Sequence, residues 1–145
     1  MISRVRDRIS DQNRPTMELI GDPPELAGLP CEAFICEAFI YKADLVANAN
    51  LVYLRFAGIW HQLVLDCGVI FWRRLTGAPS PDAIDELAFQ STHTDVGAVT
   101  GVVGQRLRDY RMSSNSITAE VRFCFENGCT IIIDNADDRT TWRTA

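Results

Sequence analysis

Lysine is almost absent from this chain of 145 residues: Lys42 is the only one, and arginine supplies the remaining positive charge. The formal net charge is −5. Nucleic-acid binding depends on clustered lysine and arginine, so this balance argues against a nucleic-acid partner. A charged protein partner is expected to be basic, because opposite charges favour association.

Long hydrophobic runs are absent as well. The longest apolar stretches, such as GVIFW, are far shorter than the roughly 20 residues that a membrane-spanning helix needs. The first 16 residues, MISRVRDRISDQNRPT, contain four arginines and lack the apolar core of a secretory signal. We therefore expect no membrane span and a cytoplasmic location. Residues 1–16 are predicted to be a disordered tail or to precede a true start at Met17, and residues 17–145 to form a single domain.

Motifs for catalysis, cofactors and metals are also missing. The segment GVVGQR, residues 101–106, lacks the lysine of a phosphate loop and the third glycine of a dinucleotide fingerprint. The acidic run DNADD, residues 134–138, lacks the frame of a calcium loop. The sequence therefore predicts no cofactor and no resident metal, and an enzyme is the less favoured interpretation.

The sequence does contain a strong strand pattern. Apolar and other side chains alternate in NLVYLRF, which is typical of a half-buried strand. The predicted strands of this first region cover residues 50–56, 59–66 and 69–74, and the turns between them are Ala57-Gly58 and Cys67-Gly68. Successive strands with short turns predict an antiparallel meander, which we place over about residues 26–75.

A second meander is predicted over about residues 97–145. Strands over 116–125 and 129–134 are joined at Asn127-Gly128, a dipeptide that favours a type I′ hairpin. Residues 97–112 fit either a helix face or a strand. Their three glycines disfavour a helix, so we favour a strand over about 104–112.

The fold class that follows is mainly β, formally α+β: two packed antiparallel β-meanders of six or seven strands in total, with one short helix over 82–90 in a linker over 76–96. Both halves show the same order of features: an apolar-x-Gly, a strand ending in Phe, a glycine turn, a strand ending in Asp, and Trp-Arg. An internal duplication would give each meander a second sheet to pack on. Chance similarity between alternating strands is the other explanation.

The ten residues CEAFICEAFI, 31–40, repeat one pentapeptide without a mismatch. On a regular strand a step of five residues turns Glu32 and Glu37 to opposite faces, and a helix would leave no apolar face. Deleting one copy makes the spacing from Gly28 to Phe56 in the first half close to the spacing from Gly104 to Phe125 in the second. We therefore interpret the second copy as an insertion in a long first strand, absorbed as a bulge.

The cysteine spacing suggests a zinc site only under one condition. Cys31 and Cys36 point apart on either regular structure. Cys124 and Cys129 share a face if the loop at Asn127-Gly128 has two residues, with Cys67 as a third ligand, and lie on opposite faces if it has three. Five cysteines without a signal sequence are more simply reduced thiols of a cytosolic protein.

Two sets of residues are candidates for a functional site. Tryptophan and arginine are enriched in interface hot spots, and the first set is a candidate interaction surface. It comprises Trp60, His61, Trp72, Arg73, Trp142 and Arg143. The second set is a candidate pocket, with both histidines and an acid: His61, His93 and Asp95. His93 is placed in a polar loop, STHTD. Core packing of the tryptophans is the alternative for the first set.

The function that these features favour is a small, non-catalytic cytosolic domain that binds a protein partner, and an acidic bacterial toxin-immunity protein is one example of this class. The alternative is a small-molecule binding protein or enzyme with a pocket between the two sheets. An exposed edge strand in either meander would also favour a homodimer.

Overall fold

The computed structural model describes residues 18–79 and 89–145. Within them it contains ten strands and one short helix, which run in chain order as β1 Glu18–Gly21, β2 Cys31–Tyr41, β3 Asp44–Phe56, β4 Ile59–Asp66, β5 Val69–Arg74, β6 Phe89–Asp95, α1 Val96–Thr100, β7 Leu107–Ser114, β8 Ala119–Phe125, β9 Thr130–Ala136 and β10 Arg139–Thr144. The fold is mainly β, as predicted. The predicted tail over 1–16 and most of the predicted helix over 82–90 lie outside the described residues, and positions 89 and 90 of that helix belong to β6.

The strands form two sheets. A six-stranded sheet has the order β1-β5-β4-β3-β2-β6, and a four-stranded sheet has the order β10-β9-β8-β7. All neighbouring strands are antiparallel except β1 and β5, which are parallel. The two predicted meanders are therefore confirmed as β2–β5 and β7–β10. The count of six or seven strands was too low, because β1, β6 and β10 were missed.

Tight turns fix the register of the hairpins. Four two-residue turns have positive φ at both positions, as type I′ turns require: Lys42-Ala43, Ala57-Gly58, Cys67-Gly68 and Asp137-Asp138. The hairpin at Asn127-Gly128 is different. The N–H of Phe125 donates to the carbonyl of Cys129, and Gly128 alone has a positive φ, of 94°. Its loop therefore has three residues, which decides between the two loop lengths left open by the sequence and differs from the type I′ turn that Asn127-Gly128 favours.

Aromatic rings from both sheets fill the core between them. Phe34 of the six-stranded sheet meets Phe123 of the four-stranded sheet edge to face, with ring centroids 5.3 Å apart. Trp72 lies 6.3 Å from the same ring. All three side chains are almost fully buried. Each burial of a large apolar side chain stabilises the fold by about 1.5–3 kcal/mol, so these contacts hold the sheets together.

The sheets are also joined along two seams. Residues 28–31 form backbone hydrogen bonds with residues 104–107, where β7 begins. On the other side, the N–H of Trp142 in β10 donates to Oδ1 of Asn48 in β3, at 3.0 Å. Asp95 at the end of β6 caps α1 through Ala98, and α1 carries the chain toward the four-stranded sheet.

The pentapeptide repeat forms strand β2, which is bulged as expected, but residues 33–37 pair regularly and the bulges lie on either side of them. Register shifts occur between Cys31 and Ala33 and on both sides of Phe39. Cys31 and Cys36 are both buried, whereas Glu32 is exposed and Glu37 is buried. The internal duplication stays a prediction, since Trp72 pairs with Leu63 but Trp142 pairs with Ile133, two residues further along the matching strand.

Candidate functional site

His61 and Trp72 belong to the core rather than to a surface. His61 is 4% exposed and Trp72 is 1% exposed. The indole Nε1–H of Trp72 donates to Nδ1 of His61 at 3.3 Å, which places the proton of the neutral ring on Nε2. Burial lowers the pKa of His61, and the positive charge of Arg74 acts in the same direction. His61 is therefore a neutral acceptor that holds a core tryptophan.

Aromatic rings fill the space beside His61, where the sequence suggested a pocket between the sheets. Trp72 stacks on Tyr110, with centroids 5.2 Å apart, and Tyr110 in turn lies 5.9 Å from Phe123. The hydroxyl of Tyr110 donates to the carbonyl of Pro24 at 2.5 Å. His61 therefore lies among packed rings.

His93 lies on the opposite side of the six-stranded sheet. It is in strand β6 and not in a loop, so the loop prediction for STHTD was wrong. Its register partner is Glu37, and Nε2 of His93 lies 2.8 Å from Oε1 of Glu37. The carboxylate of Asp95 instead caps α1. The structure thus does not bring His61, His93 and Asp95 together.

A row of polar side chains crosses this side of the sheet beside His93. The Nε–H of Arg73 donates to Oε1 of Gln62 at 3.0 Å, and Nε2 of Gln62 donates to the hydroxyl of Tyr53 at 3.4 Å. The ring of Tyr53 is 5.6 Å from that of His93. The two hydrogen-bonded groups, Glu37–His93 and Tyr53–Gln62–Arg73, therefore meet at the Tyr53 ring.

Exposed apolar side chains lie on the same side of the sheet. Ile20 is 51% exposed and Phe71 is 36% exposed, and the two are register partners in the parallel pair β1–β5. Val64 pairs with Phe71 from β4. Trp60 is half-buried, and it shares this side with Gln62 because alternate residues of a strand point to one side.

We call this surface the outer face. It is the side of the six-stranded sheet that points away from the four-stranded sheet, and it carries Ile20, Tyr53, Trp60, Gln62, Phe71 and Arg73. A cleft of about 320 Å³ opens on it, between Tyr53, Gln62 and residues 75–79. The N–H of Leu75 donates to the carbonyl of Trp60 at 2.9 Å and holds this segment beside the face.

The predicted interaction surface is divided among three places. Trp60 and Arg73 lie on the outer face, and His61 and Trp72 lie in the core. Trp142 is partly buried against the core beside β3, and Arg143 forms an ion pair with Asp134 on the four-stranded sheet, at 3.1 Å. The six residues therefore do not form one patch.

The cysteine zinc site is not formed. Cys124 pairs with Thr130, so the three-residue loop leaves Cys129 on the opposite face of its hairpin. Cys67 is exposed, and its Sγ lies 3.4 Å from Oδ1 of Asp138, which with Asp66 raises the pKa of its thiol to about 11. Over residues 18–79 and 89–145 no cluster of histidine, cysteine and acidic side chains could hold a metal ion, and all five cysteines are free.

Comparisons with protein-family models, with curated proteins and with solved structures give no match to this chain. In the described part of the chain, the only helix is too short to cross a bilayer. The function must therefore be inferred from the chemistry of the surfaces themselves.

Proposed function

We propose that the protein is a small, non-catalytic binding domain, and that a protein partner binds its outer face. The observation that carries this proposal is the exposed pair Ile20 and Phe71, two apolar side chains that lie side by side on neighbouring strands. Trp60 and Arg73 lie on the same face, and aromatic and arginine side chains are enriched where binding energy is concentrated.

The partner in this proposal is basic. The chain has a net charge of −5, and a field of one sign attracts oppositely charged partners and speeds their association. The proposal places the protein in the cytoplasm, where thiols stay reduced, in keeping with its five free cysteines. Neutralisation of a basic toxin is one function that this class of domain can perform.

The proposal is tested by truncating the apolar pair. Ile20→Ala together with Phe71→Ala should weaken partner binding at least about fivefold, since loss of an interface anchor costs more than about 1 kcal/mol. The matched control is Ile117→Ala, because Ile117 is 70% exposed and lies outside the outer face. Proteins captured from the native cytosol by each variant would be compared, and affinities measured with the purified partner.

A result against the proposal is equally clear. If no captured protein depends on Ile20 and Phe71 more than on Ile117, the outer face is not the binding surface. If the Ile117 variant loses the same protein, the effect is a general loss of surface hydrophobicity.

One contact favours a second candidate function, binding of a small molecule or catalysis. The Glu37–His93 pair, with Tyr53 beside it, joins a histidine to an orienting carboxylate, as general bases often require. This site would lie on the outer face rather than between the sheets. A ligand that shifts the NMR signals of His93 and Tyr53, and no longer binds after His93→Gln, would favour this second function over binding of a protein partner.

A further inference from the structure

The outward side of the four-stranded sheet carries an unusual row of positive charge. Arg111, Arg122, Ile132 and Arg143 are register partners across all four strands. Ile132 lies between Arg122 and Arg143 and is only 2% exposed although it points outward. Arginine stems can cover such a side chain while the guanidinium groups stay in water, which makes this a flat, cationic row.

A row of negative and hydroxyl side chains runs beside it, two residues further along each strand. Ser113, Glu120, Asp134 and Thr141 are register partners in the same way. Arg122 contacts Glu120 at 2.5 Å, and Arg143 contacts Asp134 at 3.1 Å. These ion pairs connect the two rows, which we call the arginine row and the carboxylate row.

The carboxylates are not fully neutralised within the chain. Glu120 and Asp134 lie directly opposite each other, where like charges destabilise a strand pair. The pKa of Asp134 is raised, chiefly by burial and further by Glu120, although Arg143 opposes the shift. A cleft of about 900 Å³ opens over this part of the sheet, with Glu120, Asp134 and Thr141 in its lining. The carboxylate row therefore has room for additional positive charge.

We propose that two copies of the chain associate face to face through these rows. A two-fold axis that crosses the strands between the rows would bring the arginine row of each copy over the carboxylate row of the other. With this axis Arg122 of each copy faces Glu120 of the other, and Arg111 and Arg143 face the hydroxyl groups of Ser113 and Thr141. These contacts are self-complementary, as two-fold dimers require. A second copy fits better than a basic partner, because the face carries the four arginines Arg111, Arg122, Arg139 and Arg143 beside the three acids Asp109, Glu120 and Asp134, and so presents both signs of charge with no excess of acid.

The size of the face sets the strength of the dimer. Four strands about 4.8 Å apart and three outward rows about 6.8 Å apart, the third being that of Asp109, Cys124 and Thr130, give a face of roughly 400 Å². This is about half of the roughly 800 Å² per partner of a standard stable interface. The dimer should therefore be weak, at micromolar or higher concentrations, and sensitive to salt because exposed ion pairs are screened.

The first test uses the full wild-type chain in sedimentation velocity from about 10 μM to 1 mM. The expected result is a monomer–dimer equilibrium whose dissociation constant rises at least about tenfold between about 50 and 500 mM salt. A monomer at every concentration in low salt would overturn the proposal. A dimer that salt does not weaken would overturn it too, because it would be held by another surface.

The second test exchanges the charges. One variant carries Arg122→Glu with Arg143→Glu, and the other carries Glu120→Arg with Asp134→Arg. Each should be monomeric alone, whereas their mixture should form a heterodimer, which also shows that both are folded. The control is Arg55→Glu with Arg73→Glu, which makes the same charge change on the six-stranded sheet and should leave the dimer intact.

Two outcomes of this exchange count against the proposal. If both variants dimerise as tightly as the wild type, the rows are not in the interface. If the control alone abolishes the dimer, the outer face is the interface instead. The dimer does not depend on the proposed partner: loss of partner binding by the Ile20 and Phe71 variant would leave it unchanged.

Discussion

Glu37 and His93 lie directly opposite each other on β2 and β6, with 2.8 Å between Oε1 and Nε2. Their side chains are 6% and 17% exposed. A carboxylate with so little exposure is tolerated only when it is hydrogen-bonded or paired, and His93 supplies this contact. The edge strand β6 is thus joined to the sheet by a side-chain contact in addition to its backbone hydrogen bonds.

The pentapeptide repeat supplies a matched pair of mutations for this contact. Glu37→Ala should lower the free energy of unfolding by about 1–3 kcal/mol, because it leaves a mostly buried histidine without its partner. Glu32→Ala, at the same position of the other copy, removes an exposed ion pair with Arg55 and an exposed hydrogen bond from the N–H of Gly58, and should cost about 1 kcal/mol or less. Urea denaturation measures both. Equal losses would contradict the different roles assigned to the two acids.

His61 should make stability depend on pH. Its pKa in the folded chain is lowered by burial and by Arg74, so the unfolded chain binds the proton more readily. The stability that neutral His61 contributes is therefore complete above the pKa of histidine in the unfolded chain, about 6.5, and is lost as the pH falls below that value. His61→Gln keeps a hydrogen-bond acceptor for Trp72 but cannot titrate.

The comparison of wild type with His61→Gln isolates this effect. The wild type's free energy of unfolding should fall relative to that of the variant between about pH 7 and pH 5, since all other groups titrate in both. Denaturant titrations at several pH values would measure the difference. If the wild type's free energy of unfolding minus that of the variant stays constant, or increases as the pH falls, His61 does not prefer its neutral form.

Cys67 should react slowly with alkylating reagents although it is exposed. The carboxylate of Asp138 accepts a hydrogen bond from its thiol, and together with Asp66 it raises the thiol pKa to about 11. Since the thiolate is the reactive species, Asp138→Asn should speed iodoacetamide labelling of Cys67 severalfold at pH 8. Asp137→Asn, one residue away, is the control. Mass spectrometry of the labelled peptides would follow each cysteine, and equal rates in both variants would refute the assigned contact.

Two turn glycines differ in what surrounds them, although both have a positive φ. At Gly68, with φ of +80°, an added Cβ would lie 2.3 Å from the carbonyl oxygen of Asn115. At Gly58, with φ of +76°, it would meet nothing within 4 Å. Gly58→Ala should therefore cost about 1 kcal/mol for backbone strain alone, and Gly68→Ala clearly more. Thermal unfolding tests this order, and the reverse order would show that the two turns do not pack as described.

The strands that the sequence predicted correctly are those with strong period-two patterns. β4 and β5 were found with their bounds because buried and other side chains alternate and short turns separate them. β6 was missed because FQSTHTD is polar and becomes a strand only by pairing with β2, which is distant in sequence. A strand that depends on a distant partner carries little local signal.

The candidate site was predicted only in part, for two reasons. Trp60 and His61 were placed on one surface, although neighbouring residues of a strand point to opposite sides, and this rule alone would have separated them. The pairing of Glu37 with His93 could not be read from the chain, because 56 residues separate them and register depends on the whole sheet. The exposure of Ile20 and Phe71 likewise depends on the parallel pairing of β1 with β5.

The repeat in β2 shows how identical sequence segments acquire different chemistry from the strands beside them. Because five is an odd number, a tandem copy of CEAFI cannot present the same residues to the same side of a sheet unless the backbone adjusts. The bulge between Cys31 and Ala33 keeps both Cys31 and Cys36 inside, while Glu32 remains in solvent and Glu37 becomes the partner of a histidine. The two copies therefore present the same residues to the same sides, and Glu32 and Glu37 differ in role because β6 pairs with β2 only from Ile35 onward and does not reach Glu32.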